Sequence, residues 1–126
     1  MLVERFEKVK NNELSIIAVE REAKSIARKT FRGSRSVVHK KSNHIVNVAE
    51  AIRIRWSVAP RNWQVKHIRW FLEHYTQGLA DGTKYRYFRY IRDVLIYQNR
   101  WDDFGPRLNG SWMFPKINAA ADSSKA

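Results

Sequence analysis

Cysteine is absent from the 126-residue chain, which excludes disulfides, thiolate zinc sites and cysteine nucleophiles and fits a reducing cytoplasm. Long apolar runs are absent too. None approaches the roughly 20 residues that a membrane-spanning helix needs, and the opening MLVERFEKVKNNE is too charged for a secretory leader. Strand signals are weak: no stretch sustains a period-two alternation, and Asn109-Gly110 does not lie between β-branched runs. Catalytic signatures are missing as well, with no glycine-rich phosphate loop, no GxSxG and no HExxH. Asp102 and Asp103 are adjacent, so their carboxylates diverge and make no acid–base pair. Acidic residues are scarce: 12 Asp and Glu stand against 24 Lys and Arg, a formal charge of +12. An excess of that size repels itself in a folded domain and calls for a polyanion. Nucleic acid comes first, ahead of an acidic membrane surface or an acidic protein.

What the chain does contain suffices for one folded domain. Hydrophobic residues make up 44% and aromatics 13%, with five Trp. Periodicity predicts an all-α protein of four helices and a short fifth. The first covers much of Leu14 to Phe31, with Ile16, Val19, Ala23, Ile26 and Ala27 on one face and Gly33 as its stop. Residues 1–12 either extend it or fray, and Asn11-Asn12 favours a break. Ser34 is the cap of a second helix whose stripe is Val38, Ile45, Val48, Ala49, Ile52 and Trp56, and Pro60 is its stop. A third opens near Asn62 as cap, with Val65, Ile68, Phe71, Leu72 and Tyr75 apolar, and ends at Gly78 with Leu79 folding back. Asp81 caps a fourth, in which Tyr85, Phe88, Ile91, Leu95 and Gln98 face inward. The connection Gly78–Asp81 is so short that the third and fourth helices must be neighbours. Asp102 and Asp103 start a short fifth helix or a turn, which Gly105-Pro106 breaks. Gly110, Trp112, Phe114 and Pro115 read as an irregular tail whose aromatics dock on the bundle, and AAADSSKA as a frayed end or linker.

Three groups of side chains bear on function. Arg86, Arg89 and Tyr90 lie three and four residues apart, so a helix places two guanidiniums and a phenol on one side, suited to phosphates or guanine edges. The plain alternative is a solvated basic face. Ser36, His39, Lys40, Asn43 and Asn47 form a polar, cationic face opposite the stripe of the second helix, and Arg35 joins them at its start; Lys41, nearer the stripe, snorkels. That face is either a contact surface or an ordinary basic helix. The histidines show no ligand spacing, so no metal site is expected, and they read as surface or boundary residues. Trp56, Trp70 and Trp101 are assigned to packing, while Trp63 and Trp112 are less constrained.

With these helices placed, residues 34–104 resemble the core-binding domain of the tyrosine recombinases, the integrases of phages and integrative elements. SRSVVHKKSNHIVNVAEAI is similar to the first part of that domain. VKHIRWFLEHYTQGLADGTKYRYFRYIRDVLIYQNRW is similar to the second, with Leu79, Thr83, Tyr85, Tyr87, Ile91 and Arg92 in register. The resemblance implies a four- to five-helix orthogonal bundle of the SAM-like kind, here with an extra N-terminal helix over residues 1–33 and a tail or linker over 105–126. It implies that double-stranded DNA, with other recombinase protomers on it, is the partner. Arg35, Ser36, His39, Lys40 and Asn43 would meet that DNA, with Thr83, Lys84, Arg86, Tyr87, Arg89 and Tyr90 from the fourth helix. It implies no cofactor. Strand exchange would belong to a catalytic domain whose length and His-x-x-Arg signature are not in this chain, so the chain alone is not expected to be an enzyme. The setting implied is the cytoplasm of a bacterium. The rival readings are a helix-turn-helix regulator, a basic adaptor for an acidic protein, and an RNA-binding helical module.

Overall fold

The computed structural model describes the backbone of residues 2–113 and the side chains of residues 16–113. It is all-α, and no strand occurs among the described residues. Five helices pack together: α1 (Leu2–Thr30), α2 (Arg35–Trp56), α3 (Val65–Trp70), α4 (Asp81–Tyr97) and α5 (Trp101–Phe104). A π-turn, Phe71–Tyr75, continues α3, and 3-10 turns cover Pro60–Asn62, Gly105–Arg107 and Ser111–Met113. No helix among the described residues is long and apolar enough to cross a membrane.

The first helix is longer than expected. It runs through Asn11-Asn12 without the predicted break, because Asn in a helix costs only a few tenths of a kcal/mol relative to ordinary residues. Val19, Ala23, Ala27 and Phe31 are buried with Ile45, Val48, Ala49 and Ile52 of α2. The alanines at this seam let the two backbones approach closely. Ile16, expected on the same face, is 40% exposed. The turn after α2 meets α1 at Glu22, which accepts from the Arg61 backbone N–H at 2.6 Å and from its guanidinium at 2.9 Å. Gly33, with φ 125°, makes the turn between α1 and α2 in a conformation other residues rarely adopt.

Ser34 caps α2 as expected, its hydroxyl accepting from Val37 N–H at 3.3 Å. The stop is different. Ser57, left-handed at φ 57°, ends α2 by bonding its N–H to Arg53 O, and Pro60 begins the following 3-10 turn. Asn62 lies inside that turn and is not the cap of α3. Gln64 holds that position, and its N–H donates to His67 Nδ1 at 2.9 Å. His67 is therefore a buried residue, 3% exposed, set against the Trp56 ring, and not a surface histidine.

The π-turn changes which residues of the third helix point inward. Thr76 N–H reaches back to Phe71 O, and the extra residue per turn rotates Thr76 fully into the core, where its hydroxyl donates to Leu72 O at 2.7 Å. Tyr75, expected in the apolar face, is 47% exposed and stacks on Phe71. Gly78 is left-handed, φ 91°, as predicted, but Leu79 stays 40% exposed and does not close over the last turn. Asp81 is the first residue of α4 and Ala80 its cap; the carboxylate sits in the first turn, at the positive end of the helix dipole. Phe88, Ile91 and Leu95 are buried as expected, joined by Tyr87 and Val94.

Beyond α4 the chain folds back onto α3. Leu108 and Trp112 are buried, and the Trp112 indole N–H donates to Leu108 O at 2.9 Å. Arg69 of α3 donates to Arg107 O and Asn109 O, and its guanidinium lies 5.4 Å from the Trp112 ring centre. The expected docking of tail aromatics holds for Trp112. Phe114, Pro115 and the AAADSSKA end lie outside the described residues. Trp56, Trp70 and Trp101 are partly buried and pack against the core as assigned, and Trp63 and Trp112, left less constrained, are buried more deeply.

Candidate nucleic-acid interface

The exposed side of α2 follows from its amphipathic phase. With Ile45, Val48, Ala49 and Ile52 inward, Ser36, Lys40, Asn43 and Asn47 form a solvent-exposed crest along the opposite face. α1 lies on one side of that crest and α4 on the other. On the α4 side, Tyr87 and Tyr90 both meet the His44 ring edge-on, at 5.0 and 5.2 Å between centres. Tyr90 also meets Phe31 of α1 at 5.6 Å. The Lys41 ammonium lies over the Phe31 and Tyr90 rings, 5.4 and 5.6 Å from their centres, a cation–π contact in place of the snorkelling expected of it.

The predicted residues divide among these surfaces. Ser36, Lys40 and Asn43 stand on the crest. Arg35 and His39 turn toward α1 and line a groove of about 660 Å3 with Lys24, Arg28, Phe31, Val38, Ser42 and Asn43. His39 and Asn43 approach each other at 3.4 Å on its outer wall. Arg86 and Arg89 are exposed on α4, Thr83 and Lys84 are half-buried near its start, and Tyr90 is half-buried against Phe31 and His44. Tyr87 does not belong to the exposed set. It is 7% exposed, its ring packs edge-on against Phe71, and its hydroxyl accepts from Asn47 Nδ2 at 3.3 Å. An aromatic in the first turns of a basic helix looks alike in sequence whether it faces the core or the solvent; the antiparallel packing of α4 on α2 decides it.

The charges therefore do not converge on one concave surface between α2 and α4. The concavity lies between α1 and α2, and α2 is a ridge with basic residues on both flanks. Sequence reasoning missed Lys24 and Arg28, although their i, i+4 spacing places them on one side of α1 and was readable. No ion pair within 4 Å involves Lys24, Arg28, Arg35, Lys40, Arg86 or Arg89 among the described residues. The carboxylates are engaged elsewhere, as with Glu22 on Arg61 and Glu73 on Arg69. Glu50 lies on α2 beyond the groove-lining Asn43. A hydrogen bond shared with Glu20, burial and the like charge push its pKa above the ordinary value of 4.5, against the pull of Arg53 and Lys24.

Among the described residues no three His, Cys, Asp or Glu side chains gather as a metal would require. Asp102 and Asp103 are both exposed at the start of α5, away from the basic ridge, and the Asp103 carboxylate lies 3.8 Å from Arg107. The surface as built can bind an extended anion through guanidinium and ammonium groups, and it presents amide and hydroxyl groups along a convex helix. Comparison with family models, with curated proteins and with solved structures finds no match to this chain.

Proposed function

We propose that the chain is a duplex-DNA-binding helical domain of the integrase type, the core-binding part of a tyrosine recombinase, which holds double-stranded DNA for strand exchange by a separate catalytic domain. The observation that carries this reading is the α2 ridge: an exposed crest of Ser36, Lys40, Asn43 and Asn47 flanked by cations that make no ion pair within 4 Å among the described residues. An α-helix with its side chains is about 10–12 Å across, and the major groove of B-DNA is about 12 Å wide. A convex polar helix with cations on either side is the shape that places amides near base edges and positive charge near the bordering phosphates. The resemblance of residues 34–104 to the core-binding domain supplies the recombinase assignment.

The test is fluorescence anisotropy of the chain on 25-base-pair duplexes across a salt series. The affinity should fall steeply with salt, and Arg86→Ala with Arg89→Ala should weaken every duplex and lower the log–log salt slope by about 2, close to one for each phosphate contact removed. Unchanged duplex affinity at low salt in that double variant overturns the assignment of α4 to the surface. Binding that survives high salt and ignores competitor DNA identifies an adaptor for an acidic protein instead. Preference for hairpin RNA identifies an RNA module, and a dimeric footprint on a palindrome a helix-turn-helix regulator.

A further inference from the structure

We infer that the groove between α1 and α2 seats the sugar–phosphate backbone of one strand of the duplex, so that α1 is a working wall of the DNA surface. The inference rests on the duplex-binding reading above and adds to it a location and two residues, Lys24 and Arg28, that the resemblance does not supply.

The groove's chemistry selects a linear polyanion. Its rims carry Lys24 and Arg28 from α1 and Arg35 and His39 from α2, all exposed. No carboxylate is among its described lining residues. Its floor is Phe31, Val38 and Ser42, and the Ser42 hydroxyl is already committed to Val38 O at 2.7 Å. The floor therefore offers no free donor to enclose an isolated phosphate, and its apolar groups suit the deoxyribose face of a strand. The rims suit a row of phosphates. Lys24 and Arg28 are four residues apart, about 6 Å along the helix axis. One strand of B-DNA carries a charge about every 3.4 Å of axis, so the α1 rim alone spans about two phosphates.

With one strand in the α1–α2 groove, the crest of α2 lies alongside it. The basic residues of α4 stand on the far flank of the same helix, where the second bordering strand would run. α2 is then the element between two phosphate rows, and Asn43 and Lys40 are the residues placed to reach base edges.

The experiment compares the full chain with Lys24→Ala/Arg28→Ala and with Arg86→Ala/Arg89→Ala, on a panel of duplexes of differing sequence, over a salt series. All four positions are exposed, so both double variants should keep the helical circular-dichroism signal and melting midpoint of the parent. The α1 double variant should lose about 10- to 50-fold in affinity near 0.1 M salt, by the same factor on every sequence, and its salt slope should drop by about 2. If its slope and affinity match the parent while the α4 variant is impaired, the groove is not a backbone seat although the chain still binds DNA. A loss on single strands without one on duplexes also overturns the inference. If the parent itself binds no duplex, the underlying functional reading fails instead.

Discussion

Asn47 and Tyr87 join the ridge helix to the helix beside it: the Asn47 amide donates to the Tyr87 hydroxyl at 3.3 Å, one residue from the exposed Arg86. The buried ring thereby fixes the height at which α4 presents its arginines. Tyr87→Ala should destabilise the domain by about 3–5 kcal/mol, the usual cost of emptying a buried aromatic site. Tyr87→Phe removes only the hydrogen bond and should cost about 0.5–1.5 kcal/mol. Urea unfolding measures both. Duplex affinity of Tyr87→Phe at low denaturant should equal that of the parent, because the hydroxyl binds Asn47 and not the ligand.

Arg100 is a clamp that no sequence pattern announced. Its guanidinium donates to the main-chain carbonyls of Pro60, Arg61 and Trp63, fastening the end of α4 to the connection between α2 and α3. Burial lowers its pKa, and the Glu22 charge opposes that shift. Arg100→Ala leaves three carbonyls without this donor and should cost about 2 kcal/mol, within the range for hydrogen bonds to charged groups. Arg100→Lys, which lacks the planar fork, should recover only part of that loss. The midpoint of urea unfolding is the readout, with m unchanged.

His67 makes the fold sensitive to mild acid. Burial, then the neighbouring Lys66 charge, pushes its pKa below the ordinary value of 6.5, and its Nδ1 accepts from Gln64 N–H only when that nitrogen carries no proton. The unfolded chain therefore binds the proton more readily than the folded one, so stability rises with pH through this window. The full contribution is present above about pH 6.5 and is lost progressively as pH falls below it. His67→Gln should flatten the dependence of the urea midpoint between about pH 7 and 5; an unaltered slope would show that another group carries it.

The helix content and most of the core were legible because they rest on periodicity. The α2 stripe from Val38 to Trp56 and the Ser34 cap needed nothing beyond spacing and a hydroxyl. Helix ends were less legible where a tertiary contact decided them. Ser57 adopts a left-handed stop that a proline three residues on obscured, and Gln64 replaced Asn62 because a buried histidine completed the cap. The inward rotation of Thr76 depends on a π-turn, which breaks the period that the reading assumed. The exposed polar face of α2 was legible residue by residue, but the shape of the surface around it was not. Which flank of α2 each cation occupies depends on how α1 and α4 pack against it, and helical wheels of single segments carry no such information. For the same reason Lys24 and Arg28 went unassigned and Tyr87 was placed outside.

The widened turn at Phe71–Tyr75 makes the aim of α4 a matter of arithmetic. A regular α-helix advances about 100° and 1.5 Å with each residue, so excising one residue there to restore regular winding would swing everything downstream through that angle. Thr76 would leave its bond to Leu72 O, and the arginines of α4 would be pointed at a different sector of space. Lengthening or shortening this one turn would thus re-aim the basic helix without touching a charged residue.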